Sequence, residues 1–257
     1  MTRIELTARQ TLTCRISAFD LRMNDWAGLP TIEIQKQLIH CCQQPIELGE
    51  WFDVASHDDA MNHLSVVWSA DCGRIDHLGV GWRHGLLVVH GNVGHACGAC
   101  MTGGRIEIDG NAGDQLGSAI GSRGTGINGG VLIVSGNAGN DAGQRMRRGE
   151  LYVRGSAGDG MGSLMYAGTI GCGGNAGQRV GIGMRRGTII LPSPSSINPL
   201  SHGSTSRFTE PRLLTTPFQT ILAHRRWTKN WIGDLIVSRR SVCRGDLTVG
   251  GQGEVWF

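Results

Sequence analysis

The sequence predicts an all-β fold built as a parallel β-helix of about six coils of 19 residues, with small capping segments at its N- and C-terminal ends. Thirty of the 41 glycines lie between residues 85 and 187, without the Gly-X-Y period of collagen. Within that window a Gly-Asn/Ser-x-Gly tetrapeptide recurs in steps of 19, 26, 19 and 19 residues, beginning at Gly91, Gly110, Gly136, Gly155 and Gly174. A fixed period near 20 residues is typical of solenoids, which stack one structural unit per repeat.

Each repeat unit opens with a glycine and continues with alternating apolar residues, which predicts a short strand with one buried face. The third residues of the units are Leu87, Ile106, Leu132, Leu151, Ile170 and Ile189. Equivalent positions hold similar side chains, so each set is expected to stack as a ladder in the core. The same reasoning places sulfur-containing residues in the core, namely Cys97, Cys172, Met101, Met146, Met165 and Met184. The asparagines of the tetrapeptide are expected to hydrogen-bond along the stack as an amide ladder.

The repeat divides the chain into three predicted parts: an N-terminal cap segment (1–65), the β-helix (66–191) and a C-terminal extended tail and cap (192–257). Residues 66–84 are interpreted as a degraded first coil, because terminal repeats of solenoids are usually atypical. A short helix is predicted at residues 31–42, and residues 218–227 also carry a helical pattern.

Composition and charge exclude several classes of protein. A net charge of +3 gives no reason to expect a nucleic-acid partner. No apolar run approaches the roughly 18 residues of a transmembrane helix, and the N-terminus lacks the apolar core of a signal peptide, so a cytoplasmic protein without membrane contact is expected. The eight cysteines show no framework spacing, and reduced thiols are the expectation.

Catalytic, cofactor-binding and metal-binding residues are all expected to be absent from this chain. Cys97 and Cys100 have zinc-knuckle spacing but no second pair, and Cys97 occupies a core position. His84, His90 and His95 fall at different positions of one unit, which predicts separate surface histidines rather than a metal site. The carboxylates of the repeats share no single position, as a calcium-dependent polysaccharide-cleaving enzyme would require. The glycines near residue 173 recur with the 19-residue period of the repeat. They do not lie between a strand and a helix, so no phosphate-binding loop is expected there.

A cluster of arginines at one corner of the predicted repeat units is the candidate surface for contact with a partner or carrier. Two arginine pairs, Arg147-Arg148 and Arg185-Arg186, directly follow Met146 and Met184, two units apart. The unit that begins at Gly104 is seven residues longer than the others, and its insertion within residues 118–126 contains Arg123. Insertions in repeat proteins map to loops on one face, often the binding face. We therefore interpret these arginines as a contact for an acidic partner or a polyanionic carrier. The alternative interpretation is that they only form a solvated edge of the molecule.

Nearly the whole chain resembles the C-type subunit of formylmethanofuran dehydrogenase. The resemblance lies in the Gly-Asn-Ala-Gly repeats, the GINGG that closes the insertion (126–130), LGEWFDV (48–54) and GQGEV (251–255). The coils also resemble, more distantly, the C-terminal β-helix of the glutamate synthase large subunit. Ile127 stands where methionine is usual, Ser156 replaces asparagine, and these departures favour the bacterial branch, the formyltransferase/hydrolase complex.

The resemblance implies a right-handed parallel β-helix without an active site, acting as a scaffold subunit in one-carbon metabolism. It implies formyltransferase and amidohydrolase-like or dehydrogenase partner subunits, which can carry metals, and a methanofuran-type formyl carrier as the substrate of the complex. That carrier can bear a glutamate-rich tail, which makes Arg123, Arg147, Arg148, Arg185 and Arg186 possible carrier or partner contacts.

Three other functions are weighed against the scaffold. A stand-alone ligand-binding or sugar-active β-helix would need a cluster of outward carboxylates. A hexapeptide acyltransferase would need 18-residue coils built from sixes, which the 19-residue unit contradicts. A glutamate-synthase-like spacer domain would normally be fused to its amidotransferase partner.

Overall fold

The computed structural model describes residues 2–58, 63–193, 208–214 and 240–257. Among these residues two short α-helices are present, α1 (Thr31–Gln35) and α2 (Leu48–Trp51), along with single 3-10 turns at Met23–Asp25 and Leu247–Val249. The strands are β1 (Thr2–Ala8), β2 (Ile16–Ser17), β3 (Leu38–Cys41), β4 (Gln44–Glu47), β5 (Phe52–Asp58), β6 (Ser65–Ser69), β7 (Ile75–Asp76), β8 (Leu86–Val89), β9 (Arg105–Ile108), β10 (Asn128–Val134), β11 (Arg148–Val153), β12 (Thr169–Cys172), β13 (Thr188–Ile190), β14 (Arg212–Leu214), β15 (Arg240–Gly245) and β16 (Gly253–Trp256).

Twelve of these strands form one mixed sheet, in the order β14-β15-β16-β13-β12-β11-β10-β9-β8-β6-β1-β5. Its middle is parallel, because each repeat unit contributes one strand in the same register as the next. Equivalent third residues are paired from unit to unit: Leu87 with Ile106, Ile106 with Leu132, Leu132 with Leu151, Leu151 with Ile170, and Ile170 with Ile189. We call these stacked units, from β8 to β13, the repeat stack.

The predicted fold class, a right-handed parallel β-helix, is wrong for this chain. At one end of the large sheet β5 pairs antiparallel with β1, and at the other β15 pairs antiparallel with both β16 and β14. A second sheet, β4-β3-β2-β7, mixes both directions as well. The prediction took the parallel run of the repeats as the architecture and treated the flanks only as capping segments, whereas the flanks add antiparallel strands to the same sheet beyond that run. The fold is all-β and mixed.

The repeat units also contact each other away from the large sheet. Single-residue parallel bridges join the equivalent positions Cys72, Val93, Ala112, Ala138, Ala157 and Ala176. The bridge between Cys72 and Val93, together with the pairing of β6 with β8, places residues 66–84 as the first unit, as predicted. Between the bridges and the strands lies a continuous core that contains the predicted Met101, Met146, Met165 and Met184, each fully buried. The conspicuous sulfur-containing residues are therefore packing residues.

Two polar ladders run along the surface of the repeat stack. In the first, each side chain accepts a hydrogen bond from the backbone amide of its successor in the next unit, along Asp71, Asn92, Asn111, Asn137, Ser156 and Asn175. This confirms the predicted amide ladder. The second, not predicted, uses the same geometry along Asp76, His95, Asp114, Asn140, Asp159 and Gln178. Each rung satisfies a turn amide that would otherwise need water.

The N-terminal segment differs from its prediction in two ways. The helix predicted at residues 31–42 ends at Gln35, and Leu38–Cys41 forms β3, which turns back into β4. Cys42 and Gln43 make that turn with φ values of 51° and 67°, the geometry of a tight hairpin that usually takes asparagine or glycine. Cys14 and Cys41 are joined by a disulfide with a Cα–Cα distance of 6.7 Å, so the expectation of reduced thiols is wrong for this pair. The division into segments 1–65, 66–191 and 192–257 stays a prediction, and the helical pattern of 218–227 lies outside the described residues.

Candidate functional site: an arginine groove on the repeat stack

The arginine corner is a turn that follows the buried methionines of successive units. There the backbone amide of Tyr166 donates to the carbonyl of Met146 at 2.8 Å, and the amide of Arg185 donates to the carbonyl of Met165 at 2.8 Å. Arg147 is held in the same way by the carbonyl of Ile127, also at 2.8 Å. Because neighbouring strands of a sheet lie about 4.8 Å apart, Arg147, Tyr166 and Arg185 form a column, with the tyrosine between the two arginines.

A groove of about 540 Å³ opens beside this column, and we call it the arginine groove. The insertion forms one wall and the C-terminal turn Leu247–Val249 contributes to another. The lining residues are Ser122, Arg123, Gly124, Thr125, Arg145, Arg147, Leu164, Tyr166, Gly183, Arg185 and Val249. Three of the five predicted contact residues, Arg123, Arg147 and Arg185, are thus brought together.

Arg145 completes the groove and was missed by the sequence reasoning. Its guanidinium donates to the carbonyl oxygen of Ser122, which ties the insertion to the next repeat unit. Its backbone is left-handed, with a φ of 55°, and its amide donates to the carbonyl of Ser163 at 2.8 Å. The available signal was its position two residues before Arg147, in a turn rather than a strand, which keeps both side chains at one corner.

The C-terminal wall is positioned by one buried carboxylate. Asp246 is fully buried, and its side chain accepts hydrogen bonds from the amides of Gly183 at 3.0 Å and Thr248 at 2.9 Å. The first bond anchors the C-terminal turn on the last repeat unit, and the second caps the turn that presents Val249 to the groove. No sequence signal connected residue 249 with the arginines, because the two are far apart in the chain.

The groove combines positive charge with exposed apolar surface. None of the described residues that line it is acidic, and within the described part of the chain no carboxylate pairs with Arg123, Arg145, Arg147 or Arg185. The guanidinium of Arg185 lies 5.5 Å from the ring centroid of Tyr166, a cation–π contact. Side chains that usually avoid water are half exposed around it, with Leu164 at 42%, Tyr166 at 47% and Val249 at 48%. Such a surface suits an anionic ligand with some apolar character.

The other two predicted contact residues lie outside the groove. Arg148 begins β11, where it pairs with Asn128, and its side chain is exposed. Arg186 is also exposed and does not line the groove. Each basic pair therefore points one arginine into the groove and leaves the other outside it.

The cysteine and histidine residues considered from the sequence as metal or catalytic candidates lie in places where they serve packing or hydrogen bonding, or are simply exposed. Cys97 is fully buried, and burial raises the pKa of its thiol to about 12, so the thiolate needed for nucleophilic or metal chemistry is disfavoured at neutral pH. His90 bonds to Asp109 at 2.6 Å and His95 is a rung of the second polar ladder, while His84 is exposed. Among residues 2–58, 63–193, 208–214 and 240–257, no three His, Cys, Asp or Glu side chains are arranged to share a metal ion.

In the described residues, no helix has the length and apolarity needed to span a membrane. No protein-family model matches the chain, and no curated protein matches it either. Among solved structures, it is similar to a chain of the formyltransferase/hydrolase complex (FhcABCD) from Methylorubrum extorquens, crystallised in complex with methylofuran. The two chains are 30% identical, superpose with a TM-score of 0.78, and each is covered over 98% of its length. The chain therefore belongs to the same family as that chain of the formyltransferase/hydrolase complex.

Proposed function

We propose that this chain is the non-catalytic scaffold of a formyltransferase/hydrolase complex in one-carbon metabolism, equivalent to the C-type subunit of formylmethanofuran dehydrogenase. The observation that carries the proposal is the end-to-end similarity to a chain of such a complex, with 98% of both chains covered. The partners would be a formyltransferase subunit and an amidohydrolase-like subunit, assembled in the cytoplasm around a methanofuran-type formyl carrier.

The scaffold role is supported by how the chain uses its side chains. Three of the free cysteines, Cys72, Cys97 and Cys172, are buried in the core, where burial raises the pKa of each thiol and disfavours the reactive thiolate. Along the parallel run, strands about 4.8 Å apart build a rigid surface of roughly 40 Å, long enough to contact two neighbouring subunits. The described residues therefore present mainly surface to the solvent, and that surface includes the arginine groove.

Formate release from a formylated carrier tests the proposal. The isolated chain, the complex co-purified with it, and the partner subunits prepared without it would be compared at equal concentrations. We expect formate release by the complex, none by the isolated chain, and reduced release or incomplete assembly without the chain. Formate release by the isolated chain would contradict the non-catalytic role.

A further inference from the structure

We propose that the disulfide between Cys14 and Cys41 is a redox switch of the N-terminal segment. A dithiol reductant opens it, and the opening separates two parts that the disulfide joins: the loop of residues 9–15, between β1 and β2, and the tip of the hairpin formed by β3 and β4. The switch goes beyond the scaffold role, because it changes the N-terminal segment whichever subunits the chain joins.

The disulfide lies where a reductant in solution can reach it. Cys14 and Cys41 are half-buried, and their neighbours Thr13, Arg15 and Cys42 are exposed. Four other cysteines are buried, and burial raises the pKa of each of their thiols, which disfavours the thiolate needed for exchange. These four are Cys72, Cys97, Cys172 and Cys243. Thiol–disulfide exchange is therefore directed to the N-terminal segment and spares the core.

The two parts that the disulfide joins share a short ladder of backbone pairs. Strands β2 and β3 pair through Ile16 with Cys41 and through Ser17 with His40, whereas β3 and β4 pair over four residues each. Two pairs are few for a sheet, whose strands usually span 3–10 residues. The side chains of Ile16 and Ile39 are buried and hold the base of the hairpin in the core. Opening the disulfide should therefore loosen the hairpin tip and the loop, while the base stays packed.

The loop of residues 9–15 also forms one wall of a groove. Residues 8–12 line this groove of about 500 Å³ together with Ala70, Asp71 and Arg74 of the first repeat unit. The guanidinium of Arg74 donates to the carbonyl of Thr13 at 2.8 Å, but this hydrogen bond is exposed, so water can replace it. The redox state of the disulfide should therefore determine how firmly the wall of the groove is held.

The opening step is balanced by one dithiol. A thiolate of the reductant attacks one sulfur of the disulfide, which forms a mixed disulfide and releases the other cysteine as a thiolate that takes up a proton. The second thiol of the reductant then breaks the mixed disulfide and is itself oxidised. Two electrons and two protons have moved to Cys14 and Cys41. In the cytoplasm, the location taken from the proposed function, disulfides are usually transient because dithiol proteins and glutathione reduce them.

Hydrogen exchange of the purified full-length chain, measured by mass spectrometry with and without dithiothreitol, tests the switch. Reduction should speed exchange at least about fivefold in peptides that cover residues 9–17 and 38–47, and leave the peptides of the repeat stack unchanged. Because the disulfide joins residues 27 positions apart, its loss should also lower the Tm by at least about 5 °C. Oxidised glutathione should restore both values.

Two variants provide the controls. Cys42→Ser removes the exposed thiol next to Cys41, outside the disulfide, and should respond to dithiothreitol as the parent chain does. Cys14→Ser/Cys41→Ser should exchange like the reduced parent chain and show no further response. Unchanged exchange and Tm after reduction would overturn the proposal, as would faster exchange throughout the repeat stack, which would indicate general destabilisation.

Rapid alkylation of intact cells tests whether the switch operates there. We expect Cys14 and Cys41 to be partly reduced in growing cells, and their oxidised share to rise when a thiol oxidant such as diamide is added. A pair that is fully oxidised under both conditions is a permanent structural disulfide, and a pair that is fully reduced under both is no switch; either result would overturn the proposal. Neither experiment requires the partner subunits, so the scaffold role and the switch can fail separately.

Discussion

The tight stacking of the repeat units is tested most sharply by Gly139→Ala. A Cβ atom at this position would lie 2.7 Å from the amide nitrogen of Asp114 and 2.8 Å from the carbonyl carbon of Gly113, both backbone atoms of the preceding unit. Ordinary contacts of this kind need about 3.5 Å, so the two units must separate locally by about 0.7 Å. The side-chain Oδ1 atom of Asp114 lies nearer still to the added Cβ and could rotate away, but the two backbone atoms cannot, so no rotamer change relieves the contact.

That separation would strain three hydrogen bonds between the two units. The amide of Gly139 donates to the carbonyl of Ala112 at 3.0 Å, the amide of Asn140 to the carboxylate of Asp114 at 2.8 Å, and the amide of Gln115 to the carbonyl of Asn140 at 2.7 Å. At about 1 kcal/mol for each bond, Gly139→Ala should lower the free energy of unfolding by about 3 kcal/mol. Equilibrium unfolding in urea, followed by circular dichroism, measures the change.

Gly81→Ala is the control for the cost of substituting glycine itself. Gly81 has a φ of +65°, but no heavy atom lies within 4 Å of an added Cβ. Its substitution should cost only the backbone strain of a left-handed alanine, about 1 kcal/mol. If Gly139→Ala proves no more destabilising than Gly81→Ala, the close approach of the units inferred from the structure is refuted.

Three further predictions concern the core and the second polar ladder. Met146→Ala should lower the free energy of unfolding by about 2–5 kcal/mol, since the side chain is fully buried; a loss below about 1 kcal/mol in urea unfolding would contradict its core role. His95→Ala should cost about 1 kcal/mol, because Nδ1 of His95 accepts the amide of Asp114 at 2.9 Å, whereas His95→Asn should preserve most of the stability by supplying the oxygen used in other rungs. Burial alone would raise the pKa of Asp76, but the hydrogen bond and charge of Arg15 and the amide of His95 outweigh it and lower the pKa. The contribution of ionised Asp76 to the free energy of unfolding is therefore complete above the ordinary aspartate pKa of about 3.9, and it is lost as the pH falls through the lower pKa of the folded state. Asp76→Asn should therefore lower the free energy of unfolding by about 1 kcal/mol at pH 7. The difference between the variant and the parent chain should shrink when thermal stability is measured at increasingly acid pH.

The repeat made the centre of the molecule predictable. Because like residues recur at a fixed period, the third residues of the units could be assigned to neighbouring strands, and the buried Met146 and Cys97 could be assigned to the core. The asparagine ladder followed from the same alignment, since Asn92 and Asn111 occupy equivalent positions, one unit apart. As long as the repeat continues, its period therefore predicts which residues of successive units lie next to each other.

The ends of the sheet were not predictable by that route. A strand such as β5 has a pattern of burial but no repeat partner, and nothing local decides whether it pairs parallel or antiparallel with β1. The hairpin at Cys42 and Gln43 lacks the glycine or asparagine that signals a tight turn, so a helix was extended across it. The arginine groove could be predicted only in part. Arg147 and Arg185 share a repeat position, so the sequence placed them together, whereas Val249 reaches the groove through a long-range contact set by the buried Asp246.

Native purification of a tagged full-length chain from its own cells, with the eluted assembly identified by native mass spectrometry, tests the central claim most directly. The scaffold account predicts that the chain elutes in a defined assembly with a formyltransferase and an amidohydrolase-like subunit. An affinity tag on an unrelated protein from the same cells controls for nonspecific capture. Elution of the chain alone, or in a defined assembly without either of those subunits, would contradict the account.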